Sequence, residues 1–181
     1  MSIKAKLFLT ITAIAFLGVS TAYSNPFKEQ KPKIVRGIVT SDTILSGMAT
    51  SLLPQNRYSV EAILPPGQCP GHYDVKLSDI QKMKKADLNV SFLGMSFLNK
   101  ASPMGGAQLL VDPGGRNWMA PDSYIYGLGI LADEFSKHFS EDKDEIMRRK
   151  QETIRKVKTA SNSLIEKIRV AGISGKAVIA S

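Results

Sequence analysis

The sequence is poor in the side chains that carry most protein chemistry. Its 181 residues include one cysteine, Cys69, two histidines, His72 and His138, and one tryptophan, Trp118. A lone cysteine forms no intrachain disulfide, so in an oxidising compartment Cys69 must be buried, act as a ligand or pair with another molecule. No G-x-S-x-G, H-E-x-x-H or P-loop pattern occurs. A Cys–His nucleophile needs an adjacent base and a group to orient it. Cys69 and His72 stand on a proline-glycine loop without an orienting Asn or Asp, so the chain reads as a non-enzyme. The methionines are scattered and form no copper-binding tract. Long apolar runs are lacking too: Leu7–Val19 falls short of the roughly 20 residues that span a bilayer.

That short run has a different meaning. Lys4 and Lys6 precede it, and Ala22-Tyr23-Ser24 follows with small residues at the positions a signal peptidase reads. Residues 1–24 are therefore expected to be a cleavable signal peptide, with residues 25–33 as a tether. No cysteine follows the apolar run directly, which speaks against a lipoprotein, and the expected location is the periplasm. The formal net charge is +8, and removing Lys4 and Lys6 with the leader leaves the remainder basic. Aromatics are not interleaved with the cations as a nucleic-acid stacking surface requires, so no nucleic-acid partner is expected. The basic run from Arg148 to Lys158 reads as a solvated helix face, with an anionic-lipid or partner patch as the alternative.

Strand and helix patterns alternate through the rest. Lys33–Thr40 is a β-branched run, and Asp42 can cap a helix with Leu45, Met48 and Leu52 on one face. Tyr58–Leu64 reads as a second strand, ended by Pro65-Pro66-Gly67. Ser78 and Gln81 have capping-box spacing, which places a helix from Asp79 with Ile80 and Met83 inward. Asp87–Phe92 and Gln108–Val111 read as further strands. Pro121 opens a helix carrying Tyr124, Leu128, Leu131, Phe135 and Phe139. Ser140 starts a longer one, with acids crowding its first turn and a seam of Met147, Ile154, Val157, Leu164 and Ile168. Gly172 and Gly175 close it, and residues 176–181 read as a last strand. The alternation predicts an α/β fold: a largely parallel sheet flanked by helices over 34–139, a long helix over 140–171, and a short terminal strand. Ligands of such sheets sit beyond the carboxyl ends of the strands, where the Cys69–Tyr73 loop falls.

The order of motifs resembles the substrate-binding proteins of zinc- and manganese-type ABC importers. Pro65-Pro66-Gly67, Pro70-Gly71-His72-Tyr73, Leu77-Ser78-Asp79 and Lys85-Ala86-Asp87-Leu88 follow one another as in that family, and Arg116-Asn117-Trp118 through Pro121 resembles its later Pro-His-x-Trp-x-x-Pro segment. The resemblance implies one lobe of a two-lobed receptor plus its linker helix, with residues 176–181 as the first strand of a second lobe. It also implies a periplasmic solute-binding component that captures a metal ion, zinc or another divalent transition metal, or a metal complex, for an inner-membrane ABC permease. The alternative is a truncated or free-standing half-receptor without transport activity, acting through a protein partner that supplies the other lobe.

Three departures bear on the site. Gly71 stands where the family has its first metal-binding histidine, with His72 one place later; Arg116 replaces the second; the remaining two belong to the second lobe. His72 and Cys69 are the metal-ligand candidates, since both are good zinc donors and one turn can present both to one ion. Tyr73 and Asp74 are next in line to complete the shell. Arg116 suits an oxyanion, a carboxylate or a metal chelate better than a bare dication. Trp118 can stack on an organic ligand or anchor the following helix. His138 lies near a helix C-terminus, where a cation is favourable, and receives no site role.

Overall fold

The structure is a computed structural model that describes residues 35–95, 98 and 106–176. The expected signal peptide and tether, and the terminal strand beyond Lys176, lie outside the described residues. The sheet has four parallel strands, β1 (Arg36–Thr40), β2 (Tyr58–Ala62), β3 (Leu88–Phe92) and β4 (Ala107–Val111), in the order β2-β1-β3-β4. The helices are α1 (Thr43–Leu52), α2 (Leu77–Lys85), α3 (Pro121–His138) and α4 (Lys143–Val170). This is the parallel, helix-flanked architecture expected from the alternation, with the long helix following the sheet.

Strand order dictates the layers. The chain steps from β1 to β2 in one direction, then back past β1 to β3. Right-handed crossovers put the helices of opposite steps on opposite faces. Side chains alternate faces along each strand, and adjacent residues of β1 accordingly enter different cores. Ile38 joins Leu45, Met48, Leu88, Val90, Leu128, Leu131 and Phe135 in the main core. Val39 joins Ile63, Leu64, Met83 and Ala86 under α2.

Local signals hold with small shifts. The Asp42 carboxylate accepts from the Ile44 and Leu45 amides at 2.8 and 3.1 Å and caps α1. Strand β2 stops at Ala62, two residues before the expected end, because Ile63 and Leu64 turn into the core beneath α2. Helix α2 begins at Leu77, not Asp79. The start signal is Asp79 itself: its carboxylate accepts from the Lys76 amide at 2.9 Å, where Ser78 and Gln81 were expected to close the cap. Ser140–Asp142 is a 3₁₀ turn, and α4 starts at Lys143. At its other end the Gly172 amide donates to Arg169 and the Ile173 amide to Ile168, with Gly172 at φ +64°, the paired bonds of a glycine-closed helix end.

The amino edge of the sheet is tied down by a buried carboxylate. Asp142 accepts from the Tyr58 hydroxyl at 2.6 Å and pairs with Arg57, joining the start of β2 to the turn between α3 and α4. Burial, then the bond to Asp142, pushes the Tyr58 phenol far above its ordinary value. The seam of α4 is covered only in part. Ile146 is fully buried and Met147 and Ile154 pack on the main core, but Leu164 is 59% exposed. Among the described residues, no helix is long and apolar enough to cross a membrane.

Candidate functional site

In a sheet of this order the crevice lies between β1 and β3, where the direction of strand addition reverses. Here that crevice is filled. The Ser41 amide bonds the Val90 carbonyl at 2.8 Å, the Ser41 hydroxyl donates to Asp42 Oδ2 at 2.6 Å, and the Thr40 hydroxyl donates to the Asp42 carbonyl at 2.9 Å. All three residues are buried. The cavity beside them measures about 10 Å³, room for at most a single water. Sequence reading assigned Asp42 to the cap but did not foresee Thr40 and Ser41 closing the crevice. Two hydroxylated residues between a strand and an Asp cap are the signal that could have shown it.

Among the described residues, the predicted site residues stand on the loops after the two outer strands. After β2 the chain runs through Pro65-Pro66-Gly67 to a 3₁₀ turn at Pro70–His72, closed by the His72 amide on the Cys69 carbonyl at 3.1 Å. Pro70 starts this turn, and the two donors are presented on the surface. Cys69, His72 and Asp74 are all exposed. Tyr73 is half-buried, and its hydroxyl donates to Asp79 Oδ2 at 2.8 Å. Burial, then that bond, raises its phenol above the ordinary tyrosine range. Its proton is therefore directed to α2 rather than outward.

The loop after β4 is built differently. Asp112 takes the Gly114 amide at 2.8 Å, the Arg116 amide bonds the Pro113 carbonyl, and the Trp118 indole donates to the same carbonyl at 2.9 Å. The Trp118 ring is 5% exposed and meets Phe92 edge-on with centroids 4.8 Å apart. A side chain at Gly127 would collide with this ring, so α3 can dock only with glycine there. Trp118 is thus the anchor of α3 and has no face open for stacking a ligand. Arg116 is exposed, its guanidinium lying 4.2 Å over the Tyr126 ring. The cation–π contact ties the guanidinium to α3 at the surface, where its N–H donors suit an anion.

The fold therefore places all the predicted site residues at the carboxyl edge but at its two ends: Cys69, His72, Tyr73 and Asp74 beyond β2, Arg116 and Trp118 beyond β4. Three strand spacings, about 14 Å, separate the outer strands. Among the described residues, no group of three or more His, Cys, Asp or Glu side chains is placed to hold a metal ion.

No protein-family model and no curated protein matches the sequence. Solved structures do match the fold. The chain is similar to a Mn-bound periplasmic metal binding protein from Candidatus Liberibacter asiaticus, at 13% identity over 74% of this chain and 57% of that one, with a TM-score of 0.64. It is similar to the AdcAII protein of Streptococcus pneumoniae, at 19% identity over 79% of this chain and 59% of that one, TM-score 0.62. A Ni²⁺ complex of FpvC from P. aeruginosa aligns at 12% identity over 75% of this chain and 55% of that one, TM-score 0.60. Across such matches the chain spans between 32% and 59% of the other protein's length. At these identities the likeness is one of fold, and the residues present form a single lobe of it.

Proposed function

We propose that this chain is a half-receptor: one wall of a metal-binding cleft, exported to the periplasm by its leader, that does not transport by itself and acts with a protein partner supplying the opposite wall. One observation carries this reading. Two good zinc donors stand exposed at the carboxyl edge, yet no third acid, thiol or imidazole joins them among the described residues. Zinc in a closed site takes four ligands, so two donors on an open surface hold it weakly. The solved relatives in fold include proteins described as Mn-bound, Zn(II)-bound and in complex with Ni²⁺, which supports a divalent metal as the cargo class without choosing among them. Nothing in the reading requires catalysis.

A second reading is favoured by Arg116. An exposed guanidinium over the Tyr126 ring at the same edge suits a metal complex with a carboxylate or oxyanion group, delivered to an ABC permease of the inner membrane. Calorimetric titration of the purified chain with zinc separates these. Binding weaker than about 1 μM and lost in His72→Ala supports the half-receptor. Tight, sub-micromolar binding of bare zinc overturns it. Tight binding only of a metal–citrate complex, abolished by Arg116→Ala, selects the second reading.

A further inference from the structure

The long helix carries an apolar stripe that outruns its cover. Helix α4 folds back antiparallel to α3, and over its first half Ile146, Met147 and Ile154 pack into the main core. Helix α3 begins at Pro121, so the cover ends near the middle of α4. The stripe continues there at the same spacing through Val157, Ser161, Leu164 and Ile168. Met119, Pro121 and Tyr124 form one side of an open trough of about 330 Å³ whose other side is Val157, Ala160, Ser161 and Leu164. Leu164 and Ile165 are 59% and 60% exposed, and Met119 is 81% exposed. Isolated apolar side chains on a surface are ordinary, but an apolar stripe along a trough, interrupted here by Ser161, marks an interaction site.

Charge identifies the partner. Lys156 and Lys167 are about three turns apart on one flank of the stripe, and Lys158 and Arg169 are about three turns apart on the other. Lys158 and Lys167 have no acid at helical neighbour spacing, three or four residues away. Lys156 and Arg169 pair with Glu152 and Glu166 at 2.7 and 2.6 Å, both exposed bridges of little worth that a partner carboxylate can replace. A second copy of the chain would bring cation against cation. A flat bilayer cannot enter a trough between two helices, whereas a helix can.

We infer that the uncovered half of α4 is a docking site for an amphipathic helix of a partner protein, with an apolar seam flanked by Asp and Glu, lying where α3 leaves off. This rests on the half-receptor reading and names where its partner binds. The probe is a synthetic helix of about three heptads with Leu and Ile in the seam and Glu on both flanks, titrated into the whole chain at low salt. We expect saturable binding, slowed amide exchange over 157–168, and at least about tenfold weaker binding both for Leu164→Asp and for the double variant Lys158→Glu, Lys167→Glu. The same peptide with Lys on its flanks should bind at least about tenfold more weakly than the Glu form. Equal binding of the Lys peptide overturns the inference. So do absence of peptide binding, binding to phosphatidylglycerol vesicles in its place, or self-association through the stripe. Zinc titration stays separate: tight zinc binding by the chain alone removes the half-receptor reading, while weak zinc binding with no peptide binding removes only the docking site.

Discussion

The loops beyond β2 and β4 leave the same edge of the same sheet, yet they are held by opposite means. Residues 65–72 beyond β2 are exposed throughout, and the chain is first gripped again at Tyr73 and Asp79. The loop beyond β4 sends Trp118 into the main core, and turn bonds around Pro113 and Asn117 set the rest. Fold and chemistry are therefore separated in the first loop and fused in the second. Cys69 and His72 can be changed without disturbing the core, whereas Arg116 depends for its position on a residue the fold cannot spare.

The largest expected effect tests the fused loop. Trp118→Ala should cost about 3–5 kcal/mol in urea unfolding, since it removes a buried ring that touches Phe92 and α3. A loss under about 1 kcal/mol would erase the contrast. Next comes the boundary of the open loop. Asp79→Ala should cost about 1–3 kcal/mol, because it removes the acceptor shared by the Tyr73 hydroxyl and the Lys76 amide. The raised Tyr73 phenol gives a pH signature with a definite sign. The folded state disfavours its ionisation, so its contribution is complete below about pH 10 and falls as pH rises further. Tyr73→Phe should flatten that part of the decline in stability measured from pH 8 to 11. The smallest effect tests the open turn itself. Cys69→Ser and His72→Ala should each shift stability by less than about 0.5 kcal/mol. A larger loss would mean that the turn supports the fold after all.

Much of this could be read ahead from particular residues. Asp42 announced α1 because a carboxylate before an apolar stripe satisfies amides that would otherwise be unpaired. The proline-proline-glycine turn marked the exposed, ligand-rich loop, although β2 itself stops earlier, at Ala62. Other features had no local signature. The register of α2 went to Asp79 rather than to the Ser78–Gln81 pair, since Tyr73 packs beside that carboxylate and leaves it facing Lys76. The seam of α4 runs, with one or two polar gaps, along the whole helix, but only α3 decides which half is covered.

By itself, then, the sequence determined the alternation of strands and helices, the ends of β1, β3 and β4 and the scarcity of metal donors, because these follow from local propensity and from which residue types are present. Only the tertiary structure decided that Trp118 is buried, that Thr40 and Ser41 close the crevice, that the predicted site residues stand at two ends of one edge, and that the apolar stripe of α4 outlasts its cover. Those facts depend on contacts between residues far apart in the chain, and no spacing along the chain encodes them.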